Sequence, residues 1–488
     1  MSYLELLKLS APEAIIVVTA LIVLTIGLIS PRTSKFCPIL AAFGIAAAVV
    51  ALLRLPQHAN LFGGMLVISP LNSLFKIICL VTALTTIPIA ASEKSLRNQS
   101  EYLAMLLLGS VGLMLLVGSE ELLMIFIGLE LLSLPLYVMA AFDKTDLRSS
   151  EAGLKYFLFG SVASAFTLFG ISFIYGMSGT TALAAIAQKF AAGDGQPLLI
   201  VGIVMTLVGF GFKITAAPFH LWAPDVYQGA PIPSAAFIAS GSKVASFVVL
   251  GKIVLVGFGP VRGSADWHAM IAGWSPVLAA LAALSILLGN FVALAQTNVR
   301  RLLAYSAVAH GGYTLLGLIA GGRDGFSATL FYTSVYAITL VGAFAVVGEV
   351  RHESGGDDLQ NFAGFAARSP LLAAAMAIFL LSLAGLPPLA GFFGKFYLFS
   401  TTFRAGSNHG LLWLVALALF GSFVSLYYYL IVLKMMFVEK SSASEPPVRL
   451  GVTGHSVANV TIVLLAGGVL FLGLMPQTLA ARILGSMP

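Results

Sequence analysis

The sequence predicts an all-α polytopic membrane protein with about 14 transmembrane helices. Apolar runs of about 18 residues or more, each able to cross a roughly 30 Å hydrocarbon core, recur along the chain. The residues are 59% hydrophobic and only 9% charged, whereas a soluble domain carries about 25% charge. Four charges, Glu130, Lys213, Lys243 and Lys395, nevertheless stand inside apolar stretches. A charge at the bilayer centre costs roughly 2.5–3.5 kcal/mol on insertion scales, so such groups persist beside water or a partner charge.

The first apolar run, 12–30, follows Glu5 and Glu13, and no small-x-small cleavage site comes after it. It reads as a retained helix, not a signal peptide. Further apolar windows give helices at 38–53, 70–91, 102–118, 121–141 and 152–177. The window 198–220 contains Lys213 and Pro218, and 231–257 contains Lys243 among Ser240, Gly241, Ser242, Ala245 and Ser246. Helices at 272–295, 301–320 and 326–350 follow. The stretch 370–403 reads as one helix broken at Pro387 and Pro388, with 410–437 and 456–475 completing the set. The longest polar loop, RHESGGDDLQNFAGFAARSP at 351–370, is too short and glycine-rich for a separate domain. Residues 1–488 therefore read as a single membrane domain.

Lys and Arg give the orientation. With the N-terminus outside, inner loops receive Arg32, Lys35, Lys94, Arg97, Lys144, Arg148, Arg300, Arg301, Arg351, Arg368, Lys440 and Arg449. The outer face receives the smaller set Lys8, Arg54, Lys189, Arg262, Arg323, Arg404 and Arg482, which favours both termini outside. The net charge of +6 thus serves topology rather than nucleic-acid binding. Cys37 and Cys79 are the only cysteines, without a CxxC or Cys/His cluster, which argues against iron–sulfur, zinc or disulfide chemistry. GFGFKI lacks the glycines and preceding strand of a dinucleotide fingerprint. The sequons at Asn98 and Asn459 fall in an inner loop and a helix.

The buried charges carry the functional reading. Pro218 has no N–H, so the carbonyl of Ile214 loses its helix partner beside Lys213. Pro387 and Pro388 likewise free the carbonyls of Leu383 and Ala384 near Lys395. A charged residue beside a proline-interrupted turn marks a discontinuous helix at mid-membrane. Lys243 lies about a dozen residues into its window, where small neighbours leave room for tight packing or water. Glu130, with Pro135 freeing the carbonyl of Leu131, is the natural counter-charge. Burial favours a neutral amine and a nearby carboxylate favours the ammonium, so a lysine moving between them can exchange a proton near neutral pH. Arginine cannot. The competing readings are a snorkelling lysine or a structural ion pair at Lys213 and a static Glu–Lys pair that fixes helix packing at Glu130.

Secondary candidates are Glu151 and Lys155, i,i+4 at a helix entrance; His310, with Ser306 one turn earlier; and Lys434, before a loop. Each has an equally plain structural reading as a helix pair, a core histidine or a snorkelling lysine. Lys76 and Lys252 fit snorkelling better still, and Glu120 and Glu121 are expected at the surface. The spacing of Lys213 and Lys243, echoed by Lys395 and Lys434, hints at an internal repeat of the transporter type.

EAGLKYFLFGS, FKITAAPFHLWAPDVYQGAP, NVRRLLAYSAVAHGGY and LAGLPPLAGFFGKFYLF resemble the antiporter-like membrane subunits of proton-pumping NADH–quinone oxidoreductase, respiratory complex I, over about residues 100–440. The PFHLWAPDVYQGAP run and the short tail after the last helix resemble the subunit N branch of that family. The resemblance implies two inverted five-helix repeats, about 102–257 and 272–437, with helices seven and twelve broken. It implies proton translocation through Glu130, Lys213, Lys243, His310 and Lys395, and no redox centre in this chain. NADH, FMN, iron–sulfur clusters and quinone would belong to partner subunits, both membrane and peripheral, including neighbouring antiporter-like chains. The expected setting is a bacterial inner membrane, with no nucleic acid involved. A multisubunit cation/proton antiporter, a ferredoxin- or hydrogenase-linked relative and an inert scaffold remain the alternatives.

Overall fold

The computed structural model describes residues 3–29, 33–191, 197–406, 409–440 and 455–487. Arg32 and Arg449, assigned above to inner loops, lie outside them. The helices are α1 Tyr3–Leu9, α2 Ala11–Ile29, α3 Cys37–Leu53, α4 Pro70–Ser92, α5 Gln99–Gly118, α6 Leu122–Ala140, α7 Leu147–Ser178 and α8 Leu183–Ala191. Next come α9 Pro197–Lys213, α10 Ala223–Gly229, α11 Ile232–Ala239, α12 Gly241–Lys252, α13 Trp274–Leu294, α14 Val299–Ala320 and α15 Gly322–Ser354. The last are α16 Phe365–Arg368, α17 Pro370–Ala384, α18 Ala390–Ala405, α19 Leu412–Phe437, α20 His455–Leu474 and α21 Gln477–Ser486. Two short antiparallel hairpins, Ala59–Leu61 with Leu66–Ile68 and Ser264–Asp266 with Ala269–Ile271, close loops at helix ends.

Among the described residues, 11 helical segments are long and apolar enough to cross a membrane. Helices α3, α9 and α17 are apolar but shorter. Helix α14, helix α15 and the segment Ile232–Gly257 are almost wholly buried and form the centre. Around them α5 packs between α2 and α6, α7 lies along α9, and α13 along α14. Glycine permits two of the closest approaches: a Cβ on Gly112 would meet Leu132 N at 2.4 Å, and one on Gly289 would meet Ala309 N at 2.5 Å.

Two windows differ from the sequence expectation and a third follows it. The 198–220 window is helical only to Lys213; the chain then turns through Thr215, at φ 59°, before α10 begins. The expected helix 231–257 is interrupted at Ser240 (φ −115°, ψ −85°) and ends in a π turn over Ile253–Gly257. Lys243 is therefore in the first turn of α12, not a dozen residues into a helix. The stretch 370–403 is broken, as Pro387 and Pro388 require, and five residues separate α17 from α18. Both breaks contain a cis peptide, at Ala217–Pro218 and Pro387–Pro388.

Candidate functional site

Lys213 closes α9 and is buried. Its ammonium donates to Ser133 Oγ of α6 at 2.5 Å and lies 5.6–5.9 Å from the ring centroids of Phe212, Tyr156 and Tyr137. Aromatic faces partly replace water around a cation. Glu130, one turn before Ser133, does not pair directly with Lys213. Its carboxylate accepts the hydroxyl hydrogen of Ser164 on α7, while Ser133 takes the lysine. Glu130 and Lys213 do line one small cavity, together with Ser164 and Thr167. The expected counter-charge thus faces the same cavity, and each of the two charges is bonded to its own serine hydroxyl.

The next lysine, Lys243, donates to the carbonyl of Ala307 on α14 at 3.0 Å and lies 5.4 Å from the Tyr336 ring centroid. That ring is 5.1 Å from the His310 ring, which is 5.6 Å from Tyr313. Tyr313 in turn lies 5.2 Å from Lys395 Nζ. One row of side chains therefore joins Lys243, His310 and Lys395. His310 Nδ1 is hydrogen-bonded to the Tyr332 hydroxyl, and Nε2 to the Tyr429 hydroxyl at 3.1 Å. The hydroxyls of Tyr429 and Ser306 are 2.5 Å apart. Lys395 donates to Ala384 O at 2.9 Å and Ser422 Oγ at 2.8 Å. Ala384 ends α17, so the ammonium sits at the negative end of a helix dipole.

A second group lies at the start of α7. Lys155 Nζ is 2.6 Å from both Glu151 and Asp225, and Arg301 donates to the other oxygen of Asp225 at 2.7 Å. Asp225, on α10, therefore ties α7 to α14. Burial pushes its carboxyl upward, but hydrogen bonds from Lys155 and Arg301 win and hold it below the usual range. The sequence singled out neither Asp225 nor Arg301. The lysine and arginine lie 70 and 76 residues from the aspartate, and no local spacing links them. Tyr332, Tyr429, Ser133 and Ser422 were also missed, because hydroxyls and rings at helical spacing read as ordinary core.

Lys434 is elsewhere: its side chain is 63% exposed and pairs with Glu439 at 3.1 Å, away from the row. Lys76 and Lys252 do not snorkel. Both are buried, Lys76 on Glu13 at 2.6 Å and Lys252 among oxygens of α4 and the end of α5. Glu121 is buried too, because its carboxylate caps α6 at Met124 N. Among the described residues, no group of three or more His, Cys, Asp or Glu side chains could hold a metal.

Buried lysines and a histidine beside broken helices make this a polytopic membrane protein with charge inside its helical core. Residues 119–425 match the family described as NADH:quinone oxidoreductase/Mrp antiporter, TM. The chain is 44% identical over 492 residues to NADH-quinone oxidoreductase subunit N 2 of Acidobacterium capsulatum, covering 98% of both chains. It is 34% identical to a chain of respiratory complex I from Thermus thermophilus solved with aureothin, with a TM-score of 0.79 over 96% of this chain and 98% of that one. The fold is shared with a chain of the Mrp complex from a Dietzia species at 20% identity, with a TM-score of 0.83 over 99% and 97% of the two chains. The chain belongs to the antiporter-like membrane subunits of NADH–quinone oxidoreductase, in the subunit N branch.

Proposed function

We propose that the chain translocates protons as a membrane subunit of NADH–quinone oxidoreductase, using Lys213, Lys243, His310 and Lys395 as successive carriers. The observation that carries this reading is the row from Lys243 through Tyr336, His310 and Tyr313 to Lys395. Each step transfers one proton from an ammonium or imidazolium to the neutral base ahead of it, through hydroxyls or intervening water. Glu130 sets the charge state of the first station, because a carboxylate across a small cavity stabilises the Lys213 ammonium through space. Lys155, Glu151 and Asp225 form the polar approach to that station, since Tyr156 beside Lys155 stacks on Trp222 and flanks Lys213. Lys434 takes no part.

Moving one charge against a membrane potential costs about 2.3 kcal/mol per 100 mV. Quinone reduction in partner subunits supplies that energy, and NADH, FMN and the iron–sulfur clusters work there. The three shorter apolar helices complete fourteen crossings. The crossings form two inverted five-helix repeats, 102–257 and 272–437, in one domain spanning 1–488. Both termini face outward from a bacterial inner membrane. Lys213→Ala tests the reading in the assembled complex: assembly and NADH oxidation should survive while pumping falls. Full pumping by that variant would return Lys213 to a purely structural role.

A further inference from the structure

Helix α12 is gripped on two sides by its own lysines. Lys243 and Lys252 stand nine positions apart, and at about 100° per residue their side chains leave the helix on nearly opposite faces. Lys243 points to Ala307 and Tyr336, as described. Lys252 points away, toward α4 and α5. Its ammonium donates to Asn72 Oδ1 at 2.7 Å, Val117 O at 2.8 Å and Ser119 O at 3.4 Å, with Glu120 Oε1 at 3.7 Å. Val117 lies in the last turn of α5 and Ser119 caps it; carbonyls at a helix C-terminus lack intrahelical donors and form the negative end of its dipole. Four oxygens therefore surround one buried ammonium.

The cage is backed by a second buried pair. Lys76 Nζ is bound to Glu13 and packs so closely on Gly118 that a Cβ there would meet it at 3.2 Å. Helix α12 is also not continuous with regular helix at either end. It follows the break at Ser240 and runs directly into the π turn at Ile253. The segment carrying Lys243 is thus a 12-residue rod, with Lys252 as its charged tether.

We propose that Lys252 is a positioning residue for Lys243. Its ammonium, seated among Asn72, Val117, Ser119 and Glu120, fixes the rotation and height of α12 and so aims Lys243 at the Ala307 carbonyl and the Tyr336 ring. The helix stands between the two ammonium groups, so Lys252 acts through α12 and is not a carrier in the row. This inference rests on the proton-transfer reading of Lys243.

The test uses the whole complex in membrane vesicles, carrying Lys252→Ala, with and without methylammonium. Pumping is read as membrane potential, because amines collapse a pH gradient, and unsubstituted vesicles receive the same methylammonium. The variant should assemble and oxidise NADH. Its pumping per NADH should fall about two- to thirtyfold, the usual range for residues coupled to a site they do not touch, and its pH profile should shift. Methylammonium should restore both by refilling the oxygen cage. Normal pumping with an unchanged pH profile would overturn the proposal, as would methylammonium restoring only the yield of complex. If Lys252→Ala fails to assemble, Asn72→Leu removes one cage oxygen and gives the same two outcomes: a shifted profile supports the proposal and an unchanged one overturns it. Lys243→Ala, measured alongside, separates the two claims. Full pumping by Lys243→Ala would defeat the proton-row reading itself, whereas lost pumping there with an unaffected Lys252→Ala would defeat only the positioning role.

Discussion

The two helix breaks solve the same problem with different partners. At the second, the carbonyl that Pro388 leaves without a donor, that of Ala384, receives the Lys395 ammonium directly, and Ser422 completes the contact. At the first, the carbonyl released by Pro218, that of Ile214, is taken by the hydroxyl of the adjacent Thr215. Lys213 turns instead to Ser133 of α6, within a cavity it shares with Glu130. One lysine is therefore held by neutral dipoles at a helix end, and the other by a hydroxyl with a carboxylate close by. In this account the first station answers to a neighbouring charge, and the second is a fixed cation seat from which a proton departs.

Several substitutions would sharpen or break that contrast. The largest effect is expected from Lys395→Ala, which empties the seat at the end of α17. Proton flux in the assembled complex should drop by about a hundredfold, the scale of losing a proton-transfer group. Glu130→Gln should cost about tenfold, or roughly 1.4 kcal/mol of through-space stabilisation, measured as protons pumped per NADH. If the neutral variant pumps normally, the first station does not depend on its carboxylate, and the contrast fails. Ser133→Ala and Ser422→Ala each remove the hydroxyl that accepts from a lysine ammonium, a charged hydrogen bond worth about 1.5–3 kcal/mol. The loss should be larger at Ser133, because Lys395 retains Ala384 O. Equal losses in pumping assays would erase the distinction between the seats.

The smallest effect concerns acid. Asp225 is held below its ordinary value of 3.8 by Lys155 and Arg301. A depressed carboxylate adds stability above its unfolded value and loses it as pH falls through its folded value. The tie between α7 and α14 should therefore hold at neutral pH and weaken only below about pH 4. Asp225→Asn should remove that acid-dependent step from a thermal-stability series across pH 3–6.

What the sequence made legible follows the same divide. The freed Ala384 carbonyl could be read from Pro388 alone, and it is where Lys395 binds. Glu130, Lys213, Lys243 and Lys395 stood out because charge inside an apolar run is costly wherever it occurs. Interactions between distant segments were not legible. Lys252 read as a helix-end lysine free to snorkel, yet its acceptor Asn72 lies 180 residues away and only packing of α12 on α4 reveals the cage. Glu130 was legible as a counter-charge, but nothing in the sequence says that Ser164 bonds its carboxylate while Ser133 takes the Lys213 ammonium. The break at Ser240 also escaped notice, since the residues around it are small but not helix-breaking prolines.

The central claim is that these lysines work by exchanging protons rather than by being positive. Lys213→Arg and Lys395→Arg test it most directly, because arginine keeps the charge but does not give up its proton. Proton pumping per NADH should be measured in vesicles containing the assembled complex, with NADH oxidation as the control. Both variants should give assembled, NADH-oxidising complexes that pump little. Full pumping by both arginine variants would contradict the claim and leave the row as a set of fixed charges.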